Sequence, residues 1–133
     1  MKYLLDTNVW IHLSKGRYGV DSRIREAGIG NCAISEISLL ELLYGAECSD
    51  GKDSAMRWID ALGRNVEVIP IGGALRTFAF QKARLRREGN MIDDFDLLIA
   101  ATAMAGDYIL VTENTRHFDR FDGLRLENWV RRN

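Results

Sequence analysis

Carboxylates at Asp6, Glu41 and Asp96 are the side chains of this sequence best placed to do chemistry. Asp96 would lie on a helix face made of apolar and small residues, where burying an unpaired charge costs several kcal/mol. It therefore needs a cation, a hydrogen-bond network or a bound proton. Hard oxygen ligands of this kind select Mg²⁺ or Mn²⁺ over thiophilic metals.

Two of these carboxylates also have a purely structural explanation. Asp6 follows an apolar run and could cap a helix that begins near Val9, although Thr7 and Asn8 could cap that helix equally well. Glu41 lies opposite the leucines of its own helix and could simply face solvent. The pattern alone leaves both explanations open.

Further polar residues lie at the ends of predicted elements. On a helical wheel Asp93 is nearer to Asp96 than Asp94 is, so Asp93 is the candidate to share the site and Asp94 is the expected helix cap. Thr112, Glu113 and Asn114 follow the apolar run at 108–111. Thr112 and Asn114 could cap the next turn, or they could line a site.

A basic run at residues 82–87 precedes the acidic residues at 93–96. This combination suits an anionic substrate held partly by a metal, and it fits a solvated helix face equally well. The candidates for contact with the backbone of such an anionic substrate are Lys82, Arg84, Arg86 and Arg87. The two histidines lie far apart in sequence, and there is no glycine-rich phosphate motif, which disfavours nucleophilic and P-loop chemistry.

Strands and helices must position these side chains, and the sequence alternates short apolar runs with helical patterns. Strands are predicted at 3–5, 32–35, 66–69, 108–111 and near 124–126, and helices at 9–13, 20–27, 36–46, 54–62, 74–87 and from Asp93 onward. In the helix at 36–46 the predicted buried face consists of Leu39, Leu40, Leu42, Leu43 and Ala46. The alternation predicts an α/β fold whose parallel sheet is covered on both faces, with sites beyond the carboxyl ends of the strands.

The composition is that of an ordinary globular chain, with 133 residues, 47% of them hydrophobic and 28% charged. This length predicts a single domain over residues 1–133. No stretch is suited to a membrane, the first residues lack the apolar core of a signal peptide, and two cysteines give no disulfide framework. We therefore expect a cytoplasmic protein in which Cys32 and Cys48 pack as small apolar groups.

Four segments in this order, at residues 4–8, 38–45, 96–101 and 111–114, resemble the PIN-domain ribonucleases, and in particular the VapC toxins of bacterial and archaeal toxin–antitoxin pairs. The resemblance extends over nearly the whole chain. It implies a three-layer α/β/α sandwich around a parallel sheet of about five strands, and an endoribonuclease that a small antitoxin silences. We also expect a homodimer.

By this resemblance Asp6, Glu41 and Asp96 hold Mg²⁺ or Mn²⁺, and Asn114 belongs to the catalytic set. Many PIN domains carry a fourth Asp where this chain has Asn114, which leaves one or two metal ions possible. The predicted mechanism is attack on phosphorus by a metal-activated water. Thr7, Asn8, Asp93, Thr112 and Glu113 would support the metal ligands or contact the substrate.

Two alternatives belong to other functional classes. A metal-dependent phosphatase would need an aspartyl nucleophile in a DxD sequence after a strand, which residues 6–8 imitate only weakly. A non-catalytic binding module would use the acidic residues only structurally.

Overall fold

A computed structural model describes residues 2–133 as a five-stranded sheet whose paired strands are all parallel. The strand order is β3-β2-β1-β4-β5, so β1 lies in the centre and the chain builds outward from it in both directions. The strands are β1 (Tyr3–Leu5), β2 (Cys32–Ser35), β3 (Glu67–Ile69), β4 (Ile109–Val111) and β5 (Leu126–Glu127).

Seven α-helices in the described residues connect or follow these strands. They are α1 (Thr7–Ser14), α2 (Val20–Ala27), α3 (Glu36–Glu47), α4 (Lys52–Asn65), α5 (Leu75–Arg87), α6 (Asp94–Gly106) and α7 (Thr115–Phe118). Across residues 2–133, none of them combines the length and the apolar character that crossing a membrane requires.

Alternate residues of the strands feed two separate hydrophobic cores. Leu5 and Val111 pack with side chains of α1 to α4, whereas Leu4 and Leu110 pack with α5, α6 and α7. Because successive side chains of a strand point to opposite faces, a short apolar strand supplies both cores at once. The result is the predicted three-layer arrangement, with helices on both faces of a parallel sheet.

Helix α3 contradicts the predicted buried face. Ile37 and Ser38 are buried on it together with Leu42 and Ala46, while Leu40 is 49% exposed. The helix contributes Leu42 and Ala46 to one core and Ile37 to the other, so its buried surface is not a single stripe opposite the polar residues. Leu43 is also exposed, which the wheel did not predict.

Other differences concern element ends and one cysteine. Helix α4 continues to Asn65, beyond its predicted end at residue 62. Cys32 is buried as expected, whereas Cys48 is exposed because α3 ends beside it.

Candidate metal and nuclease site

The candidate site lies where the direction of chain building reverses in the sheet. Strands β1 and β4 are hydrogen-bonded neighbours, and the chain leaves them toward opposite edges of the sheet. In open α/β sheets the loops diverge at such a point and leave a crevice beyond the carboxyl ends of the strands. Asp6 follows β1 directly, and Thr112 follows β4.

Asp6 is the most buried acidic residue of the site, at 5% exposure. Its Oδ1 accepts a hydrogen bond from the backbone N–H of Thr7 at 2.8 Å, and its Oδ2 accepts one from the hydroxyl of Thr112 at 2.8 Å. Burial raises the pKa of the Asp6 carboxyl, these two hydrogen bonds lower it, and the nearby charges of Asp96 and Glu41 raise it further, with a net increase. Asp6 thus holds its charge at a cost, next to two other acids.

Asp6 is also the N-cap residue of α1, since its backbone carbonyl and its side chain both bond to the first turn. The expectation that Thr7 or Asn8 could cap this helix is wrong. Both lie inside α1, with Thr7 buried and Asn8 exposed.

Asp96 lies in the first turn of α6 and pairs with a histidine. His117 Nε2 is 3.0 Å from Asp96 Oδ2, and the Asp96 side chain remains 34% exposed. The sequence argument that Asp96 needs a partner agrees with this contact, because α7 brings His117 against it, but Asp96 is less buried than its apolar helix face suggested. Sequence spacing did not indicate His117, since 21 residues separate it from Asp96.

Glu41 faces α1 rather than open solvent. The Thr7 hydroxyl donates to Glu41 Oε1 at 2.7 Å and lies 2.9 Å from the hydroxyl oxygen of buried Ser38. Half-buried Glu41 is thus connected through Thr7 to the helix that Asp6 begins.

The helix cap expected at Asp94 is instead formed by Asp93. Asp93 is the N-cap of α6 and accepts from the N–H of Phe95 at 3.1 Å, whereas exposed Asp94 pairs with Lys82 at 3.0 Å. The residue nearer to Asp96 on the wheel is therefore the structural one.

The basic residues of α5 within the run at 82–87 divide into two groups. Lys82 pairs with Asp94, and Arg84 binds Glu88 and the side chain of Gln81, so the charges of both are used within the chain. Arg86 and Arg87 are exposed, and in the described residues neither makes a side-chain hydrogen bond or an ion pair.

The loop after β4 contributes three polar residues with different tasks. The Thr112 hydroxyl donates to Asp6 and accepts from the backbone N–H of Asn114 at 3.0 Å, so it positions the carboxylate and is not available to a substrate. Asn114 leaves its side chain exposed. Glu113 binds Arg132, which lowers the pKa of the Glu113 carboxyl, and it is 3.5 Å from His12.

The donor atoms of this site fit a hard divalent cation in chemistry and in charge. Asp6, Glu41 and Asp96 offer carboxylate oxygens, and mutual repulsion contributes to the raised pKa of Asp6. In the arrangement described for residues 2–133, however, no three acidic, histidine or cysteine side chains converge closely enough to hold an ion. Each of the three carboxylates instead accepts from its own donor, namely Thr112, Thr7 or His117.

Comparison with known proteins identifies this arrangement. A family model described as PIN domain matches residues 3–124. The chain belongs to the PIN-domain family.

Full-length relatives of this PIN domain are ribonucleases by name. The tRNA(fMet)-specific endonuclease VapC of Shigella flexneri is 35% identical over 130 residues, which cover 97% of this chain and 98% of the relative. Ribonuclease VapC2 of Haemophilus influenzae is 35% identical over 132 residues, covering 98% and 99% of the two chains.

Solved structures agree with this assignment. VapBC2 from Rickettsia felis, crystallised with a DNA fragment from its promoter, contains a chain that is 32% identical to this one, with a TM-score of 0.89. The match covers 97% of this PIN domain and 99% of that chain. The comparisons confirm the predicted family, fold class and nuclease class.

Proposed function

We propose that this PIN domain is the toxin of a toxin–antitoxin pair and hydrolyses RNA phosphodiester bonds at the site of Asp6, Glu41 and Asp96. The observation that carries the proposal is the buried Asp6 carboxyl at the reversal point of the sheet, whose pKa is raised partly by the other two acids. Groups with perturbed pKa values in a crevice are typical of functional sites. The relatives named as VapC ribonucleases support the same reaction class.

The proposed cofactor is Mg²⁺, for which Mn²⁺ would substitute, with Asp6, Asp96 and Glu41 as its ligands. Such a cation supplies positive charge that attracts the RNA phosphate and favours ionisation of the attacking water. The chain's own residues keep the ligands in place: Thr112 orients Asp6, Thr7 orients Glu41, and His117 orients Asp96. Asn114, with its exposed amide, is the residue we assign to the water or the scissile phosphate.

The proposed partners are an RNA substrate, a small antitoxin and a second copy of the chain. The relative from Rickettsia felis was solved as VapBC2 on DNA, which supports an antitoxin partner here. Monomeric proteins seldom expose extended apolar patches, so large exposed side chains on α3, α5 and α6 support protein contacts. These side chains are Leu40, Leu43, Tyr44, Leu75, Phe80 and Phe95.

The phosphatase alternative fits the contacts less well. Position 8 holds an exposed Asn within α1 instead of the second acid that a DxD sequence requires.

Cleavage of labelled RNA by the purified protein tests the proposal. We expect turnover in Mg²⁺, none in EDTA, and recovery when Mn²⁺ is added. Asp96→Asn should lower the rate by more than about 100-fold, since even residues behind metal ligands commonly contribute 10–100-fold. Asp94→Asn is the matched control, because Asp94 lies in the same helical turn but faces Lys82.

Other outcomes separate the alternatives. Undiminished cleavage by Asp96→Asn, or by nuclease-free protein in EDTA, contradicts the proposal. Turnover of a small phosphomonoester without RNA cleavage favours a phosphatase, and a folded protein without either activity favours a binding module.

A further inference from the structure

A cleft of about 490 Å³ opens beside the acidic site, along the loop and helix that follow β4. It is lined by Glu113, Asn114, Thr115, Arg116, His117 and Arg120. One wall, His117, is the residue that contacts Asp96. Another, Asn114, is bonded through its backbone to Thr112, which in turn binds Asp6. The cleft is therefore a direct continuation of the crevice that holds the carboxylates.

The charges of this cleft that have no oppositely charged partner within the described residues are positive. Glu113 is matched by Arg132, and His117 is paired with Asp96. Arg120 donates to the carbonyl oxygens of His117 and Asn90 and to the Asn90 side chain, so in the described part of the chain its positive charge has no carboxylate partner.

Arg116 is the cation of the cleft that remains available to a ligand. It is exposed, and within residues 2–133 its side chain makes neither a hydrogen bond nor an ion pair. By contrast, two basic residues of α5, Lys82 and Arg84, are bound to Asp94 and Glu88. No sequence pattern singled out Arg116, because it lies outside the basic run at 82–87.

We propose that this cleft binds a phosphate of the RNA strand next to the scissile one, and that Arg116 is the residue that contacts it. The inference rests on the proposed function. Three carboxylates repel every phosphate except the one that a cation accompanies, so a strand crossing the site needs a basic group beside it. A guanidinium can bind two oxygens of one phosphate, and the cleft has the size of a small-molecule site.

Binding and cleavage of a labelled single-stranded RNA, measured on the same proteins, test this assignment. In EDTA, fluorescence anisotropy should show Arg116→Ala binding about tenfold more weakly, and the slope of log K against log salt should fall by about 0.7, as expected for one lost contact to single-stranded RNA. In Mg²⁺ the same variant should raise KM and leave kcat near that of the unaltered protein.

Two further variants sharpen the test. Arg116→Lys keeps the charge but not the paired donors, so it should retain the salt slope while recovering only part of the affinity. Arg64→Ala removes an exposed arginine from α4, on the other side of the sheet, and should change neither binding nor KM.

The outcomes distinguish this inference from the function on which it rests. If the unaltered protein cleaves RNA while Arg116→Ala matches it in affinity, salt slope and KM, the subsite is wrong and the proposed function stands. If Arg116→Ala and Arg64→Ala weaken binding equally, the effect is general charge and the subsite is again wrong. A protein that neither binds nor cleaves RNA overturns both.

Discussion

Asp6 has two tasks that place opposite demands on its charge. As the N-cap of α1 it accepts from Thr7, and a negative charge at a helix start is favourable. Because Asp6 is also buried and close to Asp96 and Glu41, its ionised form is destabilised. This destabilisation outweighs the favourable contacts of the carboxylate, since the pKa of Asp6 is raised overall. The site therefore holds unfavourable charge that a cation would relieve.

The stability of the metal-free protein should depend on pH through this residue. The folded-state pKa of Asp6 lies above the value of 3.8 for an unperturbed carboxyl, so the folded chain keeps the proton to higher pH and stability falls as pH rises between the two values. Asp6→Asn removes that loss. In EDTA we expect it to be more stable than the unaltered protein at neutral pH, by about 1.4 kcal/mol for each unit of the rise in pKa.

Urea unfolding in EDTA at pH values from about 4.5 to 7.5 measures this difference. The gain from Asp6→Asn should shrink toward the acidic end, where the folded chain keeps the Asp6 proton and the unfolded chain, with an ordinary pKa of 3.8, begins to take one up. Asp60→Asn, at an exposed position of α4, is the control and should give no such trend. A gain that is constant across the range, or a loss at neutral pH, would refute the charge explanation.

His117 should act on metal affinity through Asp96. Its bond to Oδ2 fixes the rotamer of a proposed ligand, and hydrogen-bond partners of ligands typically contribute 10–100-fold to metal binding. We expect His117→Ala to weaken Mn²⁺ binding by at least about tenfold in titration calorimetry, whereas His117→Gln, which retains a donor, recovers part of that loss. Equal affinities for all three proteins would mean that the contact only supports α7.

At the scale of elements, the strand ends were predictable and the helix surfaces were not. Apolar runs before Asp6 and Thr112 indicated two strands, and parallel sheets place such residues at one edge, so the site's location followed from the sequence. The covering of both sheet faces also followed, and Leu4 and Leu5 each face a helical layer.

Helix α3 shows why the helix surfaces were less predictable. A wheel assumes one buried face, but Ile37 belongs to one core and Leu42 to the other, because α3 lies between the two layers. Ser38 is fully buried although it is polar, since its backbone N–H binds Ser35 and its hydroxyl lies against Thr7. Contacts of this kind depend on tertiary neighbours that periodicity does not contain.

The contact between α6 and α7 was unpredictable for the same reason. His117 and Asp96 meet only because α6 precedes β4 and α7 follows β4, which is the strand beside β1. A lone histidine distant in sequence from any acid offers no pattern, so the prediction of Asp96 as a site candidate came without its partner.

At the scale of the whole molecule, the net charge of −1 conceals a separation of charge. Lys82, Arg84 and Arg132 neutralise acids within the chain, while the carboxylates of the site remain close to one another. A basic cleft adjoins them. A polyanion that binds here therefore meets two neighbouring positions. One is acidic and must be occupied by a cation, and the other is basic.

Metal binding should therefore stabilise the entire fold. An ion that binds the folded chain and not the unfolded one adds about 2.7 kcal/mol at 100 times its Kd, and for a domain of this size that corresponds to a rise in Tm of roughly 10 °C. We expect Mn²⁺ to produce such a rise in thermal unfolding followed by circular dichroism, at an ionic strength matched with NaCl. Asp96→Asn should lose most of the response and Asp94→Asn should keep it. Of these two acids, only Asp96 is close enough to Asp6 to raise its pKa, whereas Asp94 pairs with Lys82. An equal rise in all three proteins would indicate surface binding of the ion, and no rise in the unaltered protein would mean that Asp6, Glu41 and Asp96 do not form a metal site in the free enzyme.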